Sequence, residues 1–225
     1  VNFPSIQVGE EQIEPVNSVR NLGVIFDSNL KMDMHITKAC KTAYYHLRNI
    51  RRIRKYLTQE ATCSIIHAFV SSQIDYCNSL LNGLPAHLIK KLQRVQNTAA
   101  RVVYKLRKYD HITPVLISLH WLPVRYRIEF KTLLLVFKGL HGMAPIYITE
   151  MLDRATNSRF CLRSNNACVL RVPKFNHNTF GKRAFAVCGP MAWNALPSSL
   201  RSCDEMEIFK RNLKTHLFQK FLSQS

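Results

Sequence analysis

Lysine and arginine recur at three- to seven-residue spacing along one stretch of this chain, at Lys38, Lys41, Arg48, Arg52 and Lys55, with Tyr45 among them. On a helix that spacing puts the six side chains along one face. A line of cations with an aromatic ring in it can follow a phosphate backbone. A second set, Lys90, Arg94, Arg101, Lys105 and Lys108, flanks a later apolar stripe in the same way. An ordinary surface helix mixes signs, whereas residues 35–60 contain a single carboxylate, Glu60. The pattern favours binding of a polyanion over a merely solvated charged face.

Other chemistries find less support. Two-metal phosphoryl transfer needs clustered carboxylates, but Glu10-Glu11 lies in an expected turn and Asp75 stands alone in "IDYC". Asp204-Glu205 falls at the start of a helix, where the macrodipole accounts for it. Cys161, Cys168, His177 and Cys188 could be four zinc ligands in order, yet their separations far exceed the about two to four residues of a zinc knuckle. Free cysteines in a small core are the better account. There is no G-x-S-x-G elbow and the nine histidines lack a motif partner; His35, His46 and His67 fall on expected helices. The sequence therefore assigns no catalytic residue, no metal ligand and no cofactor.

Composition agrees with a basic binding protein. The 225 residues are 47% hydrophobic, enough to fill a real core. The formal net charge of +18 calls for a polyanionic partner, either nucleic acid or an anionic membrane. Charge is uneven: residues 1–34 are net acidic, and most of the positive excess lies in residues 35–138. The densest apolar run, residues 133–137, lies between Lys131 and Lys138 and is far short of the about 18 residues of a membrane span. No membrane partner is expected. The chain starts at Val1 with no charged-then-apolar leader, so a piece of a longer protein is expected. Seven cysteines without a CxxC pair fit a reducing compartment, nucleus or cytoplasm, better than a disulfide framework.

The elements that must position these residues follow from periodicity. Ile6 and Val8, a Gly9-Glu10-Glu11 turn, then Ile13 and Val16 read as a hairpin. One further strand is expected through Val19, Leu22, Val24 and Phe26, ended by Asp27-Ser28-Asn29. Then the period becomes helical. Ile36, Cys40, Ala43, Leu47 and Ile50 make one core stripe. Thr58 is a candidate N-cap for a second, mostly buried helix through Ile65, Ile66, Phe69, Val70, Ile74 and Leu81, stopped by Gly83 and Pro85. Leu88, Leu92, Val95, Ala99, Val102 and Leu106 make the third stripe.

Three such helices on short turns form an antiparallel bundle. Pro114 and Pro123 then open a short helix and a longer one through Tyr126, Phe130, Leu133, Leu134 and Phe137. Residues 154–175 read as a loop and a strand pair turning at Ser164-Asn165-Asn166. Trp193 is expected to anchor a small C-terminal core. Ser202 and Glu205 match a capping box ahead of a terminal helix bearing Met206, Phe209, Leu213, Leu217 and Phe221. The expected fold is mainly α with small β elements, in four parts: residues 1–34, a helix bundle at 35–110, a helical connection at 111–153, and a small α+β module at 154–225.

Four stretches carry a resemblance: "VRNLGVIFDSNLKMDMHI", "IIHAFVSSQIDYCNSLLNGLP", "LQRVQNTAARVV" and "FAVCGPMAWNALPSSLRSCDEMEIFKRNLKTHLF". Together they resemble the thumb and C-terminal region of non-LTR (LINE-type) retrotransposon reverse transcriptases, over essentially the whole chain. The resemblance implies that residues 1–34 are the end of a palm, with Leu22 and Gly23 in its primer grip. It implies that the helices of residues 35–108 pack against the minor-groove side of a template-primer duplex. Their partners would be RNA or RNA–DNA duplex and the rest of the palm. The family's aromatic-x-Asp-Asp turn, its upstream metal-binding Asp, its fingers and its endonuclease domain have no counterpart here, so the resemblance implies a non-catalytic part. The alternative is a helical protein-interaction module whose basic surface meets an acidic partner.

Overall fold

The structure, a computed structural model, describes residues 4–154, 168–177 and 179–223. It is mainly helical, with two small antiparallel hairpins at its start. Strand β1 (Ile6–Val8) pairs with β2 (Glu11–Ile13) around Gly9, and β3 (Ser18–Asn21) pairs with β4 (Val24–Asp27). The expected single strand from Val19 to Phe26 is thus two strands. Asn21 faces Val24 across the ladder, which leaves Leu22 and Gly23 as a two-residue turn with φ of 45° and 85°. A turn with both central residues at positive φ matches the twist of a tight hairpin. Leucine is a poor signal for its first position, so alternation alone reads straight through it.

Helix α1 (Asp33–Ile53) buries Ile36, Ala43, Leu47 and Ile50, the apolar stripe the sequence marks out. After it, Thr58 caps α2 (Gln59–Ile66), its hydroxyl oxygen accepting the Ala61 N–H at 3.1 Å. The second helix does not continue to Leu81 as its pattern suggests. It widens into a π turn at His67–Ser71, resumes as the short α3 (Ser72–Asp75), and breaks at Tyr76 and Cys77, the latter with φ 50°. No proline or glycine marks this break. A tertiary contact accompanies it: the Tyr76 hydroxyl donates to the Leu22 carbonyl at the hairpin tip, and its ring lies 3.2 Å from where a Cβ on Gly23 would stand.

Helix α4 (Ala86–Tyr104) buries Leu88, Leu92, Val95, Ala99 and Val102. Leu106 falls past its end, where Lys105 turns left-handed and the Leu106 N–H returns to the Arg101 carbonyl at 3.0 Å. Asp33 at the start of α1 lies 4.0 Å from Lys91 early in α4, and Arg54 after α1 reaches Val103 late in α4. The first and third long helices therefore run parallel, as an up-down-up bundle requires.

Two prolines lead into α5 (Thr113–Ser118) and α6 (Val124–Leu140). Gln93 and Gln96 of α4 tie down the entry to α6, one accepting the Val124 N–H and the other donating to the Leu122 carbonyl, both at 2.8 Å. Past the short α7 (Ile146–Thr149), helices α8 (Phe185–Asn194), α9 (Ser198–Arg201) and α10 (Met206–Leu222) close a second core. Phe137, Trp193, Phe209, Leu213 and Leu217 are fully buried there, with Phe137 and Phe209 stacked at 4.3 Å. Helix α6 is the wall common to both cores: Val124 and Ile128 face the first, Tyr126, Leu133 and Phe137 the second.

The capping box is corrected. Ser202 ends α9, its hydroxyl donating to the Ser199 carbonyl, and Glu205 stands at the N-cap of α10 without a side-chain cap bond. A helix too short to be seen by periodicity occupies residues 198–201 and takes Ser202 for its own end. Among the described residues after 153, the β structure is one isolated bridge, Arg154 with Leu170. The turn expected at Ser164-Asn165-Asn166 lies outside the described residues, and the described residues 168–175 form no strand beyond that bridge.

Candidate nucleic-acid interface

The first cation ladder is held by three fixtures on α1. At its start, the Asp27 carboxylate accepts the N–H groups of Asn29, Lys31 and Met32 at 3.1, 2.9 and 2.7 Å, closing the loop between β4 and the helix. Partial desolvation pushes this carboxyl up, but the three backbone bonds outweigh it and hold it below the ordinary carboxylate range. One turn in, the His35 ring nitrogen Nδ1 accepts the Ile25 N–H at 3.5 Å, tying β4 to α1. Burial, with the nearby Lys38 charge, lowers the His35 pKa, which keeps that nitrogen an acceptor at neutral pH.

The third fixture is Arg54. It is buried, and its guanidinium donates to the carbonyls of Val102 at 2.9 Å, Val103 at 2.7 Å and Leu57 at 2.7 Å. It satisfies carbonyls at the end of α4 that the helix itself leaves open. By residue type alone Arg54 is one more cation of the ladder. Its position says otherwise: Arg54 follows Leu47 and Ile50 on the core stripe, where a cation without acceptors would not be tolerated.

With α1 fixed at both ends, Lys38, Lys41, Tyr45, Arg48, Arg52 and Lys55 are all exposed. From Lys38 to Arg52 they cover about 21 Å of helix at about 1.5 Å per residue. Lys38, Lys41 and Tyr45 line one groove of about 760 Å³ between β4 and α1, with Ile25, Met34 and the carboxylate of Asp33 also lining it. The Lys55 ammonium lies 4.7 Å from the centre of the Tyr56 ring.

The second ladder is less uniform. Lys90 and Arg94 are exposed, but Lys90 opens on a different groove, shared with Arg125 of α6. Arg101 is half-buried and donates to the Asp110 carbonyl at 3.3 Å, which turns it toward the loop after α4. Lys105 is exposed at the end of the helix. The fold therefore gathers the α1 residues on one surface and disperses the α4 residues. Leu22 is 83% exposed at its hairpin tip, next to Gly23.

One cationic cleft has no signature in the sequence. Arg125, Lys182, Arg183 and Lys220 line a cleft of about 710 Å³ between the two cores. Glu129 engages Lys220 at 2.7 Å. Apart from the adjacent Lys182 and Arg183 these residues lie far apart in the chain, so no local spacing announces them.

The isolated carboxylates have structural partners. Asp75 accepts from Arg127 at 2.6 Å, pinning α3 to α6, and Asp204 lies 3.9 Å from His141. Among the described residues no three His, Cys, Asp or Glu side chains gather to hold a metal. Cys161 lies outside the described residues. Cys168 is exposed, and burial pushes the Cys188 thiol up. Trp193 donates through Nε1 to the Cys168 carbonyl at 2.8 Å and is fully buried, so its ring is a core anchor and no surface platform. Among the described residues no helix is long and apolar enough to cross a membrane. No protein-family model, curated protein or solved structure matches the chain.

Proposed function

We propose that this chain is a non-catalytic, nucleic-acid-binding part of a reverse transcriptase of the non-LTR retrotransposon kind, gripping a template-primer duplex along α1. The observation that carries the reading is the exposed row Lys38, Lys41, Tyr45, Arg48 and Arg52 on a helix anchored at both ends, continued by Lys55 in the turn just past it. Phosphates repeat about every 3.4 Å along one strand, so about 21 Å of cations can meet several in succession. Leu22 and Gly23 would meet the primer from the neighbouring hairpin. The rest of the palm would cover β1 and β2, every residue of which is exposed. A reducing compartment, nucleus and cytoplasm, fits the free thiols of Cys40, Cys63, Cys77, Cys168, Cys188 and Cys203.

The test is fluorescence anisotropy with a blunt RNA–DNA duplex. Arg48, Arg52 and Lys55 are reversed together to glutamate, which keeps helix propensity and leaves the apolar face of Ala43, Leu47 and Ile50 untouched. Binding should fall at least tenfold for every duplex sequence. Unchanged binding, or none by the unaltered chain at about 50 mM salt, would instead favour a protein-interaction module with an acidic partner.

A further inference from the structure

Three rings form a run on the surface beside the cation ladder. Tyr45, 62% exposed, meets His46 edge-on at 5.4 Å between ring centres, and His46 lies 5.3 Å from Phe69 with the two planes tilted by 33°. Phe69 is 50% exposed, and His67 and Ala68 before it are exposed too, while Ile66 and Val70 are fully buried. Phe69 lies within the π turn His67–Ser71. A wider turn advances each residue by a smaller angle than an α turn, which sets Phe69 further from the buried side of Ile66 than an α turn would. Wide turns of this kind recur at functional sites.

We propose that Tyr45, His46 and Phe69 form a stacking platform for the unpaired bases of a single-stranded nucleic acid. The proposal rests on the reading that the α1 ladder binds nucleic acid. Lys41 and Arg48 flank Tyr45 on the same face of α1; the carboxylate in the groove of Lys41 and Tyr45, Asp33, lies 4.0 Å from Lys91, and residues 35–60 carry only Glu60, so a strand seated on the rings finds cations for its phosphates. An exposed apolar ring next to cations with few counter-charges suits a ligand that is both aromatic and anionic. Paired bases already stack on their neighbours within a duplex, whereas unpaired bases offer free faces to aromatic side chains. The platform therefore takes a single-stranded segment, and the ladder takes phosphates of either form.

The experiment measures binding of the full chain to three probes by fluorescence anisotropy: a single-stranded oligonucleotide, an abasic strand of the same length and charge, and a blunt RNA–DNA duplex. Phe69→Leu and Tyr45→Leu keep apolar bulk and remove the aromatic face, and their melting curves report folding. Each should weaken the base-bearing strand about tenfold or more while changing the abasic strand less than about twofold, and Phe69→Leu, which lies outside the ladder, should also change the duplex less than about twofold. Replacing Arg48 and Arg52 with glutamine should weaken all three probes. If the leucine variants bind all three probes like the unaltered chain, or lose the abasic strand as heavily as the base-bearing one, the platform is overturned. In that event a ladder variant that still weakens the duplex leaves the nucleic-acid reading standing, and one that weakens nothing removes both.

Discussion

The guanidinium of Arg54, one residue past α1, donates from Nη2 to the main-chain oxygen of Val103 near the end of α4 at 2.7 Å. Two more carbonyls, of Val102 and Leu57, share the same group. Truncating it would leave buried acceptors open, at about 1–3 kcal/mol for an orphaned group. Arg54→Met should therefore destabilise the chain by about 2–3 kcal/mol in urea unfolding. Arg54→Lys should recover only part of that, because an ammonium cannot present the planar fork. Loss below about 0.5 kcal/mol for either variant contradicts the clamp.

The hairpin tip makes a separate demand. Gly23 has φ 85°, and a Cβ there would meet the Tyr76 ring at 3.2 Å. Gly23→Ala should cost about 1–2 kcal/mol from the left-handed backbone alone. Tyr76→Phe removes the hydroxyl that donates to Leu22 and should cost about 1 kcal/mol. Hydrogen exchange at the β3–β4 amides reads this locally: both variants should speed it, and unchanged protection argues against the contact.

Acid should weaken the fold in two windows. Burial lowers the pKa of His35, helped by Lys38, and that of His67, where Arg127 lowers it further and Asp75 opposes. Below the ordinary value of 6.5 the unfolded chain then takes up protons that the folded chain refuses. The histidine contribution is present above that value and is lost as pH falls from it through the lower folded values. Asp27, depressed below 3.8, loses its contribution only in stronger acid, as pH falls through its own folded pKa. Tm should fall between pH 7 and 5, and His35→Gln should flatten that fall. A Tm constant across this range would contradict the assignment.

Trp193 tests the second core. It is fully buried against Phe209, with its N–H on the Cys168 carbonyl. Trp193→Ala should destabilise by about 3–5 kcal/mol, the usual cost of truncating a large buried aromatic. Trp193→Phe should cost less, retaining much of the volume and losing one bond. Equal losses would show that packing volume does not govern this site.

What the sequence made legible was periodic. The stripes of α1 and α4, the Thr58 cap and the anchoring role of Trp193 are each written in local spacing or residue type. What stayed hidden depends on contacts between distant residues. The break at Tyr76 and Cys77 carries no local punctuation, and the tyrosine it releases reaches a hairpin far upstream. Arg54 resembles its neighbours in type but differs in face. Of the candidate binding residues, the α1 ladder was legible because one helix carries it, whereas the cleft of Arg125, Lys182 and Arg183 exists only once α6 and the chain before α8 meet.

The central claim is that the α1 ladder is a discrete phosphate-binding face, and the salt dependence of duplex affinity tests it most directly. Neutralising Arg48, Arg52 and Lys55 to glutamine should lower the slope of log affinity against log salt by about one unit for each phosphate the variant no longer neutralises, at most about three. Neutralising exposed Lys174, Arg211 and Lys214 removes the same charge from the second core's surface. The account predicts a reduced slope for the α1 variant and an unchanged one for the control. Equal reduction in both would mean diffuse attraction by net charge and would contradict a binding face on α1.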